Sequence, residues 1–506
     1  MGCTNTRKTE FTVTSLMKEK NTKTKQDISG LASSQTKSSS GNSKKNHTLK
    51  LIKEKNERIE EDYKIIEKIG SGAYGNIFKV EHIKSGFIRA MKIVKKENLL
   101  NDKEDIPSFM NEIRILMEID HPNVMKIFEY YYDELNYYIV SEYISGGDLY
   151  EFIIKTKRFT ERQAALIIYQ ILFALNYMHS KNIVHRDIKP ENILITESIN
   201  IKLIDFGMSV RFEDKKLNDL VGTSYYMAPE VIKRDYGSKC DVWSCGIILH
   251  ILLVGYPPFH GNTYMEIFEK ILGGKLHNQI ENSEFKKISP LAKDIISKML
   301  TYDPEHRISA ADAIKHPWIV GSHAREEDLN EEDALDALGN IRNFSAREKL
   351  RVATMAYIVH FVYASKDVSN LYKMFKIFDK NSDGKLTQKE FQTGYEKYYG
   401  NVLKDYELKN IFEEIDQNGD GFIEYEEFLR ATINQKQMLA EQNLKIAFDQ
   451  FDENGDNKLS FDEIKLLLGG EEDEYIKNLI KKYDFDYDGC VSFSEYVCMM
   501  NEIIDI

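Results

Sequence analysis

Two different periods of apolar and polar residues run along this chain. From Tyr63 through Lys92 apolar residues alternate with polar ones, which is typical of strands that bury one face. Beyond Trp318 apolar residues recur at helical spacing, and four acidic, glycine-containing loops interrupt them. We therefore predict a multidomain α+β chain in which a sheet-containing domain precedes an all-α domain.

The four acidic loops fit the twelve-residue helix–loop–helix calcium template, which has oxygen ligands at positions 1, 3, 5, 7, 9 and 12. They start 37, 36 and 32 residues apart. A merely solvated acidic surface is the plain alternative, but it does not explain four matches flanked by helical periodicity. Loop by loop, the predicted Ca²⁺ ligands are Asp379, Asn381, Asp383, Lys385, Thr387 and Glu390 in 379–390; Asp416, Asn418, Asp420, Phe422, Glu424 and Glu427 in 416–427; Asp452, Asn454, Asp456, Lys458, Ser460 and Glu463 in 452–463; and Asp484, Asp486, Asp488, Cys490, Ser492 and Glu495 in 484–495.

The sixth and eighth loop positions refine this prediction. Position 6 is Gly384, Gly421 and Gly489 in three loops but Asn457 in the third. Asparagine tolerates the positive φ of that position better than most residues, so we expect weaker calcium binding there rather than none. Position 8 is apolar throughout and should join the loops into two EF-hand pairs through short ribbons; these residues are Leu386, Ile423, Leu459 and Val491.

Charge and composition narrow the function further. The net charge of -13 argues against nucleic-acid binding as the main activity. The longest apolar stretch, Gly246 to Val254, is too short to cross a bilayer. The five cysteines lack metal-site spacing, and their odd number suits a reducing compartment, so we expect no structural disulfide.

The N-terminal segment differs from the rest because residues 1–50 carry ten Lys/Arg against three Asp/Glu. Such a composition cannot bury enough apolar surface to fold, so we expect residues 1–58 to form a disordered basic arm. Its start fits N-myristoylation at Gly2, with Cys3 open to palmitoylation and a basic flank. We predict a cytoplasmic protein held peripherally at the plasma membrane; an unmodified tail is the alternative.

A glycine motif at Gly70, Gly72 and Gly75 lies between two predicted strands rather than before a helix. Lys92 follows on a β-type stretch and Glu112 on a helical one, which is the order of a protein kinase and not of a dinucleotide fold. The glycines let backbone N–H groups approach ATP phosphates, Lys92 neutralises these phosphates, and Glu112 holds Lys92. The adenine should contact Ile77, Ala90 and Leu194, with Ser141 behind it and Glu142 at the hinge.

The segment from His185 to Asn192, followed by Asp205-Phe206-Gly207 and Ala228-Pro229-Glu230, completes the protein-kinase motifs. Asp187 would orient the substrate hydroxyl, and Lys189 would stabilise the transferring phosphoryl group. Asn192 and Asp205 would hold Mg²⁺. Lys189 together with Gly222-Thr223 is the serine/threonine variant. A catalytically dead kinase domain would lack one of these side chains, and none is lacking.

Other residues near these motifs have structural or regulatory interpretations. We expect Glu230 to pair with Arg307, Asp241 with Trp243 to secure the core of the domain, and His185 to support the catalytic loop as a packed residue. In the activation segment, Glu213 and Asp214 stand where many kinases are phosphorylated, and their charge would replace a phosphate near Arg186. At the peptide groove, basic residues N-terminal to the target Ser or Thr would be selected, unless the acids there only form a solvated face; these acids are Asp148 and Glu191.

A largely helical stretch separates the kinase motifs from the first calcium loop. It is acidic from Glu326 to Asp336 and then basic and amphipathic from Asn340 to Phe361. Basic amphipathic helices of this kind are calmodulin-type targets, although a simple packing helix is the alternative. Its apolar anchors are Phe344, Leu350, Met355 and Ile358, and its positive charges are Arg342, Arg347, Lys349 and Arg351.

With these motifs in this order, the chain past residue 60 resembles the calcium-dependent protein kinases of plants and protists. The resemblance implies a bilobal kinase domain at 59–318, an autoinhibitory junction helix at 319–368 and an all-α calmodulin-like domain at 369–506. It also implies that the junction restrains the kinase until the calcium-loaded lobes rearrange around it. Asn457 and Asp148, the latter where relatives often have glutamate, depart from the family pattern.

We therefore expect a monomeric, calcium-activated kinase that uses ATP, Mg²⁺ and Ca²⁺ and phosphorylates Ser or Thr of protein substrates. Two other hypotheses remain open from the sequence. One is a calcium-dependent scaffold whose kinase domain mainly binds partners, and the other is a kinase whose calcium lobes serve only localisation.

Overall fold

The computed structural model describes residues 54–55, 59–71, 75–99, 105–157, 159–196, 198–212, 216–274, 283–323, 331–342, 344, 349–363, 368–399, 404–468 and 473–501. Several predictions concern residues outside these ranges, namely those on Gly2, Cys3, Gly72, Glu213, Asp214 and Arg347.

A six-stranded sheet with the order β1-β5-β6-β4-β3-β2 forms the first lobe. Neighbouring strands are antiparallel except β1, which pairs in parallel with β5 at Tyr130 and Tyr131. Glu54 and Lys55, near the C-terminal end of the predicted arm, cover an edge that β5 would otherwise leave open. The elements are β1 (Glu54–Lys55), α1 (Ile59–Asp62), β2 (Tyr63–Ser71), β3 (Gly75–His82), β4 (Ile88–Lys95), α2 (Lys96–Leu99), α3 (Asp105–Glu118), β5 (Ile127–Tyr132) and β6 (Asn136–Glu142).

The second lobe is mainly helical and is built around α5 and α7, which are buried along most of their length. A capping box starts α5, since Thr160 and Gln163 satisfy each other's backbone N–H groups, and Gly255 with φ 93 ends α7 in the left-handed region. The elements are α4 (Leu149–Thr156), α5 (Glu161–Ser180), β7 (Ile183–Val184), a 3₁₀ turn (Pro190–Asn192), β8 (Ile193–Ile195), β9 (Ile201–Leu203), β10 (Val210–Arg211), α6 (Pro229–Ile232), α7 (Lys239–Val254), α8 (Tyr264–Leu272), α9 (Ser283–Lys287), α10 (Pro290–Met299), α11 (Ala310–Ile314) and α12 (Pro317–His323).

The C-terminal part is helical apart from the ribbon β11–β12, as the apolar spacing predicts. The junction is two helices rather than one, α13 and α14, and a π turn at Ile358–Val362 extends α14. The elements are α13 (Glu331–Arg342), α14 (Lys349–Tyr357), α15 (Ser369–Phe378), α16 (Gln388–Tyr399), α17 (Asp405–Ile415), α18 (Tyr425–Thr432), α19 (Gln435–Met438), α20 (Glu441–Phe451), β11 (Lys458–Leu459), α21 (Phe461–Leu468), α22 (Asp473–Tyr483), β12 (Val491–Ser492) and α23 (Phe493–Asn501). Among the described residues, no helix combines the length and the apolar character that a membrane crossing requires.

Candidate active site and calcium loops

The kinase motifs meet in the cleft between the sheet and the helical lobe. Lys92 on β4 and Glu112 on α3 lie 3.4 Å apart, Nζ to Oε1. Burial raises the pKa of Glu112, and the nearby Lys92 ammonium offsets part of that shift while Asp205 adds to it. Lys92, Glu112 and Asp205, which belong to three separate segments of the chain, therefore lie close together in the cleft.

The catalytic loop holds its aspartate by several hydrogen bonds. Lys189 Nζ donates to the Asp187 carboxylate at 2.6 Å and to Thr223 Oγ1 at 3.0 Å, and Thr223 Oγ1 donates to Asp187 at 2.9 Å. Asn192 Nδ2 donates to the same carboxylate at 3.1 Å. Asp187 is buried, so this network fixes its position. Thr223 therefore links the activation segment to the catalytic loop.

Asp241, predicted to secure the core of the domain, also supports the catalytic loop. Asp241 accepts from the backbone N–H groups of His185 at 3.0 Å and Arg186 at 2.9 Å. Burial alone would raise the pKa of Asp241, but hydrogen bonds, above all from His179, hold it below its usual value. Arg307 Nη2 donates to Glu230 Oε2 at 2.9 Å, which confirms the predicted structural ion pair.

The predicted adenine wall lies on neighbouring strands. Ala90 stands opposite Ser141, and Ile77 opposite Lys92, in the sheet register. Ser141 is buried and small, so it leaves the rear of this wall open. The Glu142 side chain contacts Lys202 at 2.8 Å and accepts from the backbone N–H of Lys126, so its carboxylate holds the hinge in place.

Among the described residues of the activation segment, the carboxylate beside Arg186 is that of Asp219, whereas Glu213 and Asp214, predicted for this place, lie outside the described residues. Arg186 Nη1 lies 2.9 Å from Asp219 Oδ2 and 3.2 Å from Tyr236 Oη. Sequence reasoning missed Asp219 because it selected acids by their place in the middle of the segment. The proximity of a carboxylate to Arg186 depends on how the segment turns back.

The two acids expected at the peptide groove differ in what they contact. Asp148 caps α4, since its Oδ1 accepts from the backbone N–H of Glu151 at 2.8 Å. Glu191 Oε2 is buried and has no hydrogen-bond partner among the described residues. Burial raises the pKa of both carboxyls. Asp148 therefore has a structural role of its own, whereas Glu191 keeps an unmatched acceptor.

The four calcium loops share one internal hydrogen-bond pattern. The N–H group at position 6 donates to the carboxylate at position 1 in every loop, at 2.8 Å from Gly384 and 2.8 Å from Asn457. Asn457 adopts φ 63, close to the glycine value of 78 at Gly384. The apolar position-8 residues pair Leu386 with Ile423 and Leu459 with Val491. The ribbons predicted between paired loops are therefore confirmed.

The carboxylates of the fourth loop are placed to hold a cation. The carboxylates of Asp484, Asp486 and Asp488 each bring an oxygen atom within 4.8 Å of the others. In the first loop, burial and the like charge of Asp383 raise the pKa of Asp379 to about 8. Converging carboxylates that repel one another are the donor set expected for a hard divalent ion.

The junction lies between the EF-hand helices and the sheet lobe. All four predicted apolar anchors are buried, but Arg351, predicted to supply positive charge, is fully buried as well. At the π turn, His360 Nε2 lies 3.1 Å from the Ile127 carbonyl oxygen, and Arg89 donates to the Phe361 carbonyl. The Arg89 guanidinium also sits 3.9 Å from the centroid of the Phe128 ring.

The first two calcium loops also touch the kinase lobe directly. Lys181, just after α5, lies 2.7 Å from the carboxylate of Glu424, the ninth residue of the second loop. Asn176 donates to the Ser382 carbonyl in the first loop. The backbone N–H of Glu426 donates to Asp120 at 2.7 Å. Sequence reasoning missed these contacts, since no motif marks a surface that forms only when two domains meet.

Comparisons with known proteins agree with this arrangement. The family model described as protein kinase domain matches residues 63–319, and that described as EF-hand domain pair matches residues 368–433 and 441–501. The chain is 38% identical over 468 residues to calcium-dependent protein kinase 4 of Plasmodium falciparum (isolate 3D7), covering 89% of this chain and 88% of that protein. It is 34% identical over 454 residues to calcium-dependent protein kinase 21 of Arabidopsis thaliana, covering 88% and 83%.

Proposed function

The chain belongs to the calcium-dependent protein kinase family, and from this premise we propose how its residues act and how calcium controls them. The chain is a calcium-activated serine/threonine kinase that transfers the γ-phosphate of ATP to hydroxyl groups of protein substrates. Its residue roles, metal ions, junction and acylation are the subject of the proposal.

The proposed catalytic roles follow from the contacts in the cleft. Asp187, fixed by its neighbours, orients the substrate hydroxyl and takes up its proton, while Lys189 neutralises charge on the phosphoryl group. Lys92, held by Glu112, would neutralise the α- and β-phosphates. Mg²⁺ bound at Asn192 and Asp205 would supply the charge that stabilises the phosphate oxygens. The glycine motif and the adenine wall would bind the nucleotide; these residues are Gly70, Gly72, Gly75, Ile77, Ala90, Ser141, Glu142 and Leu194.

The position of the junction carries the proposed mode of control. Its π turn contacts Arg89, which points away from the face of β4 that carries Lys92, because alternate residues of a strand face opposite sides. The EF-hand domain also contacts Asp120 and Asn123, in the segment that follows α3. These contacts would hold α3, and with it Glu112, in the active position. Without calcium the junction would leave these contacts with the kinase domain and restrain the kinase.

The primary experiment measures phosphate transfer from ATP and Mg²⁺ to a basic serine peptide by the purified full-length protein, with free calcium titrated against EGTA. We expect a steep rise from a low baseline. Calcium-independent turnover would contradict the proposed control. Intact calcium binding without any turnover would favour a scaffold.

A variant pair tests the contact between the junction and the kinase sheet. Arg89→Met removes the hydrogen bond to the Phe361 carbonyl and should lower the calcium-stimulated rate about tenfold, since a buried charge-assisted bond contributes roughly 1.5–3 kcal/mol. Lys287→Met is the control, because Lys287 is an exposed cation of the same domain whose ion pair with Glu284 lies within α9 and does not involve α3. If calcium stimulates both variants equally, the contact of Arg89 with the junction has no role in activation.

We propose a preference for basic substrates because Oε2 of Glu191 has no hydrogen-bond partner among the described residues. Glu191→Gln should raise KM for a peptide with arginine N-terminal to its serine and leave KM for an uncharged peptide unchanged. An equal effect on both peptides would assign Glu191 to the fold instead.

We also propose a monomer whose N-terminal arm is acylated at Gly2 and Cys3, with segments at 1–58, 59–318, 319–368 and 369–506. Four Ca²⁺ ions would bind at the four loops. Membrane fractionation of Gly2→Ala against the unaltered protein tests the anchor. We expect acylation of Cys3 to depend on prior acylation of Gly2, and a single acyl chain gives only marginal membrane binding. Unchanged membrane association of Gly2→Ala would rule out the acylated anchor.

A further inference from the structure

A buried guanidinium lies in the middle of the junction, and it has no counter-ion among the described residues. Arg351 on α14 is fully buried, and its Nη2 donates to Gln435 Oε1 at 2.9 Å. Its Nε and Nη1 atoms have no acceptor within the described residues. Burial lowers the pKa of Arg351, and no acid in the described part of the chain offsets that effect.

A second guanidinium stands on the facing element. Arg430 on α18 is buried, and its Nε also has no acceptor in the described part of the chain. Its nearest recorded carboxylate is Glu427 at 3.7 Å, beyond hydrogen-bond distance. Gln435 Nε2, whose oxygen binds Arg351, lacks an acceptor as well. The groups that lack a hydrogen-bond partner here are therefore all donors. They come from both sides of the contact between α14 and the α18–α19 segment.

A cavity adjoins this place on the side of Arg430. A cavity of about 1370 Å³ lies between the kinase lobe, the junction and the EF-hand domain. Arg430 lines it, together with Lys349 and Val352 on the same helix as Arg351. An ion in this cavity can therefore contact Arg430 directly, and it would reach Arg351 and Gln435, which do not line the cavity, through a shift of neighbouring side chains.

Water could accept these hydrogen bonds, but it would leave the buried charge of Arg351 uncompensated and that of Arg430 balanced only by Glu427 at 3.7 Å, which is unfavourable in a low-dielectric interior. A tetrahedral oxyanion compensates the charge and accepts from a guanidinium through two oxygens at once. We propose that Arg351, Arg430 and Gln435 form a binding site for a phosphate-type oxyanion between the junction helix and the second EF-hand.

Calcium should strengthen this site. Glu427 is the last ligand of the second loop, so calcium binding would draw its negative charge away from Arg430. Because Arg351 and Arg430 stand on opposite sides of the contact, the anion would join the junction to the EF-hand domain. Anion binding does not depend on the proposed control of the kinase by the junction. An effect of the anion on activation would depend on that control.

Equilibrium dialysis of radiolabelled sulfate against the full-length protein tests the binding. In saturating calcium we expect about one sulfate per chain, at least tenfold weaker binding in EGTA, and loss of binding in Arg351→Met. Arg342→Met is the control, because Arg342 belongs to the junction but is exposed. Absence of saturable binding to the unaltered protein, or equal binding to both variants, would overturn the proposal.

Thermal unfolding keeps the test valid if Arg351→Met alters the fold. In chloride the variant should unfold at the same temperature as the unaltered protein or higher, since methionine removes an unpaired buried charge. Replacing chloride by sulfate at fixed ionic strength should then raise the midpoint of the unaltered protein and of Arg342→Met more than that of Arg351→Met. A sulfate increment shared by all three would be a general salt effect and would overturn the site.

Two further arms identify the source of the oxyanion and its consequence. Displacement of sulfate by inorganic phosphate but not by glycerol 2-phosphate would assign the free ion, and displacement by both would admit a phosphate ester. Sulfate should also lower the calcium midpoint of kinase activity in the unaltered protein and not in Arg351→Met. If sulfate binds but leaves that midpoint unchanged, the site stands and its link to the proposed control is wrong.

Discussion

The two EF-hand lobes follow one template but meet the kinase differently. In the N-terminal lobe, formed by loops 379–390 and 416–427, the loops themselves contact the kinase, through Ser382 in the first and Glu424 in the second. The C-terminal lobe, formed by loops 452–463 and 484–495, reaches the kinase through α20, where Gln450 donates to Glu129 at 3.2 Å. Its fourth loop leaves Tyr487 89% exposed.

This difference separates sensing from transmission. A loop that contacts the kinase couples its calcium ligands to docking, so that calcium affinity and docking strengthen each other reciprocally. A loop that faces solvent can change only the shape of its own lobe. We infer that the N-terminal lobe transmits the calcium signal to the kinase, while the C-terminal lobe mainly binds the junction.

The largest expected effect comes from removing the last ligand of one loop in each lobe. Glu427→Gln should raise the calcium midpoint of kinase activity more than tenfold and lower the maximal rate, because the second loop adjoins the contacts of Glu424 and Glu426. Glu495→Gln should raise the midpoint less and keep the maximal rate. Both are measured by peptide phosphorylation against free calcium. Equal losses of maximal rate would show that the lobes do not differ.

A glycine pair isolates docking from loop geometry. Gly384 and Gly421 occupy position 6 with φ 78 and 85, so alanine strains both backbones alike, by about 1 kcal/mol. An added Cβ at Gly384 would lie 2.5 Å from the Tyr177 ring of the kinase, whereas at Gly421 it would meet nothing within 4 Å.

We expect Gly384→Ala to raise the calcium midpoint of kinase activity roughly fivefold beyond the shift of Gly421→Ala, on the scale of about 1 kcal/mol for such a clash. Calcium binding to the isolated EF-hand domain would not be a fair test, so the full chain is titrated. If the two variants give the same midpoint, the contact with Tyr177 does not contribute to activation.

The ion pair between Lys181 and Glu424 should have a smaller effect. Both side chains are partly buried, and a pair of this kind contributes roughly 0.2–1 kcal/mol, so Lys181→Met should raise the midpoint of activation about twofold to fivefold. Lys458→Met is the matched control, because Lys458 pairs with Asp488 inside the C-terminal lobe. Both substitutions remove a cation beside a predicted calcium ligand, but that of Lys458 breaks no contact with the kinase, so it should leave the midpoint unchanged or lower it. A rise of the same size in both variants would contradict the division between the lobes.

Residues whose chemistry fixes both type and spacing could be predicted from the sequence. The position-8 ribbons and the pair of Glu230 with Arg307 are of this kind, and the structure has both. The environment of Arg351 could not be predicted, because helical spacing alone does not say that a second domain covers the charged side of α14 as well. Asp219 beside Arg186 likewise depends on the path of the activation segment in space.

The smallest expected effect concerns Asn457, the position-6 residue of the third loop. The structure places it at φ 63, in the region that glycine adopts with less strain, so Asn457→Gly should raise the calcium affinity of the C-terminal lobe by roughly twofold to fivefold, or up to about 1 kcal/mol. Asn457→Ala should lower that affinity, since alanine tolerates the left-handed region less well than asparagine. Chelator competition on the full chain measures both. Because Asn457 does not contact the kinase in the recorded interactions of the described residues, the maximal rate should stay the same in both variants. A changed maximal rate would mean that the C-terminal lobe also transmits the signal.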